Sequence, residues 1–280
     1  MIEIDSDRFV CELGADDTAA TEVAPGSTLR VDCRSACDRA VGPGPRRAEA
    51  ANPATGPIAV AGARPGQALK LTIIEIACES PGYLADGSGG FQAVNIAAGR
   101  ADFHGIEVPL APMIGVLGVA PAEGRWSTMD AGPFGGNMDT NDAAPGAAVY
   151  LPVCRPGGRF VLGDVHAVMG DGEIGGQGLE TAAAVTLRVD LEPRPLTDRP
   201  YLFRDDCLMV IGAAEALETA VRDASGAMMK IIEAAGALDE FNAMKLLGLV
   251  GQTRFGQHCC PIKTVRVVLP LKYVPALRGR

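Results

Sequence analysis

Several features are scarce or missing in this chain of 280 residues, and each absence excludes a class of protein. Lys and Arg number 25 against 34 Asp and Glu, so the net charge of −9 would repel the phosphate backbone of a nucleic acid. No stretch reaches the roughly 18 apolar residues of a membrane-spanning helix. The acidic start, MIEIDSDRF, lacks the basic and apolar regions of a signal peptide. We therefore expect a cytoplasmic protein with neither a nucleic-acid nor a membrane partner.

Three motifs that mark common catalytic or metal sites are also missing. The eight cysteines form no C-x-x-C pair of the zinc-ribbon type. The sequence contains no H-E-x-x-H zinc signature and no G-x-S-x-G nucleophile elbow. Scattered cysteines in a cytosolic chain are predicted to be small buried hydrophobic residues. The close pairs Cys33–Cys37 and Cys259–Cys260 leave another role open.

Glycine, with 35 residues, and proline, with 20, are abundant instead. So many helix-breaking residues exclude a helical bundle or coiled coil. Disorder is excluded as well, because a chain with 48% hydrophobic and 21% charged residues can bury enough surface to form a core. This length suits one large domain or two modest ones.

The first 190 or so residues have the pattern of short strands separated by turns. Their apolar runs carry β-branched residues, often alternate with polar ones, and are bounded by Gly, Pro, Asp or Asn. This pattern is typical of a β-sandwich or barrel. The predicted strands cover 28–33, 57–62, 68–76, 146–153, 158–169 and 184–191.

The pattern changes after residue 192 to the three- and four-residue apolar spacing of amphipathic helices. Helices are predicted over 213–224, 225–238 and 239–251, the last capped by Asp239 and ended by Gly251, before a final strand over 264–271. We therefore predict a mostly β body, residues 1–192, that carries the active site. A smaller α+β segment, residues 193–280, packs on it to form one catalytic unit.

The segment 163–181 contains the literal dinucleotide fingerprint Gly170-x-Gly172-x-x-Gly175. A Rossmann unit needs a helix of about ten or more residues after these glycines, and only about nine positions precede the next strand pattern. Asp171 and Glu173 would also face a pyrophosphate with like charge. These observations disfavour a dinucleotide cofactor.

A polar site is the main alternative for this segment. Asp164 and His166 share one face of a strand, the glycine-rich turn brings Asp171 and Glu173 near, and Glu180 precedes the next strand. Several carboxylates around one imidazole repel each other unless a cation is present, and such a mixed shell suits a divalent metal. Alternatively, Asp171-Gly172 is a plain hairpin turn and His166 a half-buried strand residue. The spacing leaves both interpretations open.

A second cluster, 132–142, has similar chemistry. Gly135 and Gly136 allow close backbone approach, and Asn137 and Asp139 are two residues apart, so an amide and a carboxylate lie on one side of an extended segment. The cluster is either an ordinary loop or a second part of the site. The other histidines, His104 and His258, are isolated in the sequence and are expected to be structural or surface residues.

Together these segments resemble the acetamidase/formamidase family. The strings G-G-N-M-D and G-D-x-H-A-x-x-G-D-G-E are the most specific. The matching stretches follow the family's order and cover 52–73, 114–124, 132–142, 163–181 and, more loosely, 246–271.

The resemblance implies an amidohydrolase that cleaves the C–N bond of a short linear amide, such as formamide or acetamide, to a carboxylate and ammonia. It also implies a mostly β fold and a cytoplasmic homo-oligomer, a dimer or tetramer. The matching positions are Asn137, Asp139, Asp164, His166, Asp171, Glu173 and Glu180.

Roles for these residues follow as a hypothesis. Asp139, His166 and Glu180 bind a divalent metal, expected to be zinc. Glu173, or failing that Asp171, is the general base, and Asn137 donates a hydrogen bond to the oxyanion.

Three positions depart from the family pattern. Met169 replaces a common glutamine, while Gln252 and Cys260 replace common aspartates. These changes predict a less polar rim and an acyl group that is bulkier or more apolar than acetyl. They also leave two rival functions open: a non-catalytic small-molecule-binding protein on the same fold, and a structural member of an assembly.

Overall fold

Strands dominate the computed structural model, which describes residues 1–37, 52–236 and 238–278. The strands are β1 Ile2–Ile4, β2 Phe9–Val10, β3 Glu12–Gly14, β4 Thr21–Val23, β5 Thr28–Cys33, β6 Ala54–Val60, β7 Ala68–Cys78, β8 Gly82–Ala85, β9 Phe91–Ala97, β10 Arg100–Phe103, β11 Ile106–Pro109, β12 Met113–Val119, β13 Arg125–Ser127, β14 Ala131–Gly132, β15 Gly135–Asn137, β16 Ala148–Pro152, β17 Phe160–His166, β18 Glu180–Thr181, β19 Ala183–Glu192, β20 Tyr201–Arg204, β21 Cys207–Ala214, β22 Gln252–Phe255 and β23 Lys263–Pro270. The helices are α1 Leu217–Ala234 and α2 Glu240–Val250, and two short 3₁₀ turns follow at Leu271–Tyr273 and Pro275–Leu277.

Most strands belong to two large sheets. The first has nine strands in the order β1-β5-β19-β7-β16-β20-β21-β23-β22. The second follows β11-β10-β9-β8-β18-β17-β12-β15-β14, with β6 beside β17 and with β2 and β4 beside β6. Strands from both sides of residue 192 pair in the nine-stranded sheet, since β16 lies next to β20.

The main core lies between these sheets. Alternate residues of the central strands of the first sheet, such as Leu69 and Leu71 of β7 and Leu187 of β19, point into it. Ile114 of β12 and Leu162 of β17 supply the second sheet's side. The period of two that predicted the strands also determines which residues form this core. The mostly β sandwich is thus confirmed.

Helix α1 covers the outer face of the first sheet. Its residues Ala224 and Met228 pack with Val210 of β21 and Val267 of β23. Gly212 allows the helix to approach this closely, because a Cβ at that position would lie 2.0 Å from the carbonyl oxygen of Ala220. As a result, β21 and β23 are buried on both faces and read as nearly continuous apolar runs.

The helix boundaries correct the sequence predictions in part. The predicted helices 213–224 and 225–238 form the single helix α1, and residues 213 and 214 belong instead to the end of β21. Residue 237 lies outside the described part of the chain. Helix α2 is confirmed together with its cap, because the Asp239 side chain accepts a hydrogen bond from the amide of Asn242. Neither described helix combines the length and the apolar character needed to cross a membrane.

Candidate active site

The predicted site residues meet at one end of the twelve-stranded sheet. His166 ends β17, and Glu180 begins β18 directly opposite it. Asn137 ends β15, which pairs with the other side of β12, and Asp139 follows two residues later. The strand register therefore brings the two polar clusters of the sequence, 132–142 and 163–181, together.

Two glycines make room for these side chains. A Cβ on Gly115 would lie 2.5 Å from Oδ1 of Asp139 and 2.7 Å from Oδ2 of Asp164. A Cβ on Gly178 would lie 2.7 Å from the ring of His166. Both distances are shorter than any ordinary contact, so only glycine fits between β12, β17 and the loop before β18.

Four site residues have left-handed backbone conformations although none of them is glycine. The φ angles are +52° for Asn52, +43° for Asp139, +54° for Asp164 and +49° for Glu173. Asn and Asp enter this region more readily than most residues, but it is still unfavourable, and a long side chain such as Glu is rarely found there. Such strain commonly accompanies functional sites.

The acidic side chains are buried around a single imidazole. Nε2 of His166 lies 3.1 Å from Oε1 of Glu180 and 3.6 Å from Oδ1 of Asp164. Potential ligand atoms within 4.8 Å of one another fall into two groups, Asp139–Asp164–His166 and His166–Glu173–Glu180. His166 belongs to both groups. Asp139 and Glu180 are each grouped with His166, and Asp164 joins them as a further potential ligand.

Several atoms of this cluster have no hydrogen-bond partner among the described residues, although they are buried. They are Oδ1 of Asp139, Oε2 of Glu180 and both ring nitrogens of His166. Nε2 of His166 and Oε1 of Glu180 are therefore 3.1 Å apart without meeting hydrogen-bond geometry. Buried polar atoms without partners are costly, and a cation among them would satisfy them together. Carboxylate and imidazole ligands fit a divalent metal ion.

The electrostatics of the cluster agree with this interpretation. Burial, followed by repulsion from Asp164, raises the pKa of Asp139 well above its usual range. Burial also raises the pKa of Glu180 to about 7, against the attraction of His166. Burial alone would lower the pKa of His166, but the Glu180 and Asp164 carboxylates outweigh it and raise that pKa well above 6.5. Without a cation the cluster would retain protons that a metal would displace.

Asn52 is a site residue that the sequence interpretation missed. Its Nδ2 atom donates to Oδ2 of Asp164 at 2.8 Å and lies 3.4 Å from Oδ1 of Asn137. The bond to Asp164 fixes the orientation of a potential metal ligand. Asn52 is the first residue of the stretch 52–73, which matches the family pattern. That match was the signal in the sequence that could have identified Asn52 as a site residue.

Glu173 and Asp171 lie in different surroundings although they are two residues apart. Oε2 of Glu173 accepts a hydrogen bond from the thiol of Cys259 at 3.0 Å, and Glu173 itself is buried. Burial raises the pKa of Glu173, and the Cys259 hydrogen bond opposes that rise. Asp171 is partly exposed, and its Oδ1 accepts from Arg266 at 2.6 Å. Only Glu173 joins the His166 cluster.

Arg266 fixes the glycine-rich loop from the C-terminal segment. Its side chain is 2% exposed and also binds the carboxylate of Asp142 and the carbonyl oxygen of Phe255. The backbone adds a bridge between Gly172 and Gln257. The loop that carries Glu173 is therefore braced by strand β23 and by the segment before it.

Two of the departures from the family pattern, Met169 and Gln252, have different environments. Met169 is buried, packs with Met113 and Ala144, and lines a mainly apolar cavity of about 260 Å³. Gly178, whose lack of a side chain leaves room for the His166 ring, lines the same cavity. Gln252 is exposed and accepts a hydrogen bond from Arg254.

The prediction of buried cysteines needs a correction, because the scattered residues Cys11, Cys78, Cys154 and Cys207 are half-buried. Of the two close pairs that the sequence left open, Cys33 and Cys37 are buried. Cys259 is exposed and Cys260 half-buried, because this pair lies in a surface loop whose backbone is fixed to the glycine-rich loop. His104 and His258 are both exposed, which confirms the prediction for the isolated histidines.

The chain is similar to known proteins both in sequence and in structure. The model of the acetamidase/formamidase family matches residues 122–199, which include both polar clusters. The crystal structure of an acetamidase from Bacillus halodurans has a TM-score of 0.93 and 32% identity, covering 99% of this chain and 100% of that one. This chain belongs to the acetamidase/formamidase family.

Two further family relatives extend the comparison. A predicted acetamidase/formamidase from Thermoanaerobacter tengcongensis is 31% identical with a TM-score of 0.94, over 100% of this chain and 98% of that one. A formamidase homologue from Schizosaccharomyces pombe is 37% identical over 65 residues. That match spans 23% of this chain and 16% of the yeast protein.

Proposed function

We propose that this family member is an amidohydrolase that converts a short linear amide to a carboxylate and ammonia. The observation that carries the proposal is the buried group of Asp139, Asp164, His166, Glu173 and Glu180, whose unpartnered atoms face one another. Amides resist hydrolysis because water is a poor nucleophile and the amine a poor leaving group. A site for this reaction must activate the water and supply a proton to the departing amine. The cluster contains groups for both tasks.

Asp139, His166 and Glu180 are the proposed ligands of a divalent metal ion, with zinc as the expected metal. When bound, such an ion lowers the pKa of water toward about 7 and polarises a carbonyl group. Asn52 supports the site by holding the carboxylate of Asp164 next to His166. The left-handed backbones at Asp139 and Asp164 keep both carboxylates near the imidazole.

Glu173 is the proposed general base. It takes a proton from the attacking water and returns it to the departing nitrogen. Burial raises its pKa, and a carboxylate with a raised pKa is a stronger base. Asp171 is the weaker candidate, since its carboxylate is bound to Arg266 and lies outside the His166 group.

Asn137 is the proposed donor to the oxyanion that develops on the carbonyl. It is 2% exposed, and its Oδ1 lies near Nδ2 of Asn52. With the oxygen directed at Asn52, its own amide N–H groups are left for a substrate. Removal of such a donor costs about 3 kcal/mol of transition-state stabilisation in other enzymes.

The acyl group is proposed to be more apolar than that of acetamide. Met169 and Leu179 line the cavity of about 260 Å³, and so does Gly178, where an added Cβ would lie 2.7 Å from the His166 ring. An alkyl or aryl group would be bound there by removal of its apolar surface from water.

The test is ammonia release from a series of amides, namely formamide, acetamide, butyramide and phenylacetamide. Metal content is measured on the same preparation. We expect turnover, with the higher kcat/KM for the apolar acyl groups, and loss of activity after chelation with recovery on adding zinc. Full activity in metal-free protein would rule out the metal role. Absence of ammonia from every amide, together with thermal stabilisation by an amide, would favour the non-catalytic binding protein.

A further inference from the structure

The thiol of Cys259 has a contact that the reaction scheme above does not use. Its Sγ lies 3.0 Å from Oε2 of Glu173, compared with 3.9 Å from Oε1 of Gln257 and 4.0 Å from Sγ of Cys260. A thiol has one proton to donate, and the shortest contact leads to a buried carboxylate. Cys259 is therefore directed at the proposed general base.

Several hydrogen bonds hold the segment around Cys259 against the loop of Glu173. The fully buried Gln257 accepts from the amide of Cys260 at 3.0 Å and donates to the carbonyl of Ile262 at 2.6 Å. The amide of Gly172 donates to Gly256, and the amide of His258 donates back to Gly172. These bonds connect the thiol and the loop of Glu173 as one unit.

We propose that Cys259 is a positioning residue for the hydrolysis proposed above, holding Oε2 of Glu173 so that the carboxylate stays beside His166 and Glu180. The inference rests on the proposed function. Glu173 needs such a partner, because its side chain has three rotatable bonds and its backbone is left-handed. Burial and the nearby Glu173 raise the pKa of the Cys259 thiol, so the sulfur keeps its proton and remains a donor.

A set of three variants tests the role by kinetics. Cys259→Ala removes the donor, Cys259→Ser supplies an O–H donor at nearly the same position, and Cys154→Ala removes a half-buried thiol outside the cluster as a control. On an amide that the wild type hydrolyses, we expect kcat about tenfold lower in Cys259→Ala, with KM and metal content unchanged. The kcat of Cys259→Ser should lie within about threefold of the wild-type value, and that of Cys154→Ala within about twofold. An unchanged kcat in Cys259→Ala, or an equal loss in Cys259→Ser, would overturn the proposal.

A second measurement does not depend on turnover, so that it separates this inference from the proposed function. The infrared difference spectrum of the wild type minus Cys259→Ser isolates the S–H stretch of Cys259. We expect this band at lower frequency than that of a solvent-exposed thiol, and we expect Glu173→Gln to shift it upward, because an amide oxygen is a weaker acceptor than a carboxylate. A band that Glu173→Gln leaves in place would refute the thiol–carboxylate bond, whatever the amide assays give.

Discussion

At the scale of single residues, the carboxylates that could bind a cation lie on left-handed backbone, a conformation that few non-glycine residues adopt. Asp139, Asp164 and Glu173 have φ angles between +43° and +54°. A conformation of this kind costs about 1–3 kcal/mol per residue, and favourable interactions in the surrounding structure must offset that cost. The strain indicates that the positions of the carboxylates matter more to this protein than the stability of this region.

Glu173→Gln tests the general base. Glutamine has almost the same shape as glutamate but cannot accept a proton, so kcat should fall by about 10²-fold or more while metal content stays the same. Steady-state kinetics and metal analysis on one preparation check both values. Asp171→Asn is the comparison, and we expect a smaller loss of kcat because Asp171 is bound to Arg266. A larger loss in Asp171→Asn would assign the base to Asp171.

Gly178→Ala tests the room made for His166. The new methyl group would lie 2.7 Å from the imidazole ring, so the ring must move, and we expect metal affinity to fall by about tenfold or more. Gly175→Ala is the matched control, since a Cβ there meets no atom within 4 Å. Titration of the metal-free proteins with zinc, followed by calorimetry, measures both affinities. Equal affinities in the two variants would contradict the packing argument.

At the scale of elements, the sequence predicted the alternating strand β19 and the fully buried strand β17, but it missed several other strands. Strand β19 alternates between buried and partly exposed residues over most of its length and was found as 184–191. Strand β21 was missed because it does not alternate and contains helix-favouring residues such as Leu208 and Met209, whereas the equally buried β23 was found from its valines. Strands β9 to β11 were missed because they lie toward the edge of their sheet and carry mostly exposed residues.

The same reasoning explains which site residues could be predicted. The residues that could be predicted lie in two short, polar, glycine-rich segments, 132–142 and 163–181. The close spacing of carboxylate, amide and imidazole side chains in these segments indicated a site. They are Asn137, Asp139, His166, Glu173 and Glu180. Their partners come from distant parts of the chain, with separations of 112 residues for the Asn52 bond to Asp164 and 86 for Cys259 to Glu173. Local patterns contain no information about such contacts.

Arg266→Met tests the connection between β23 and the glycine-rich loop. The substitution leaves the buried carboxylate of Asp142 with only Arg204, at 3.9 Å, as a cationic partner among the described residues, so the free energy of unfolding should fall by about 3–5 kcal/mol. Arg188→Met is the control, because the Arg188–Asp190 pair is exposed and its loss should change stability little. Urea unfolding curves compare the two. A similar small change in both variants would show that the buried pair contributes little.

At the scale of the whole molecule, the buried cluster should control how stability depends on pH. In metal-free protein the pKa of Glu180 is about 7 and that of His166 lies well above 6.5, so folding favours the protonated form of both groups. Stability from these protons is present at low pH and is lost as the pH rises through the folded-state pKa values. Between pH 8 and pH 6 we expect the Tm of metal-free protein to rise by roughly 3–6 °C.

Metal-loaded protein should show the opposite trend. Protons compete with the cation for the same carboxylates and imidazole, so its Tm should fall as the pH is lowered. Differential scanning calorimetry of both forms over this range gives the two slopes. Slopes of the same sign would mean that the cation does not bind at this cluster.

The bond from Arg266 of β23 to the glycine-rich loop also determines when, during synthesis of the chain, the site can be completed. Asp139, His166 and Glu180 all leave the ribosome before Arg266, which follows its partner Asp171 by 95 residues. Until Lys263–Pro270 has joined β21 in the sheet, the loop lacks both Arg266 and the thiol of Cys259. A growing chain can therefore present the proposed metal ligands before the proposed general base is held in place. We expect Glu173 to reach its final position only after β23 has joined the sheet.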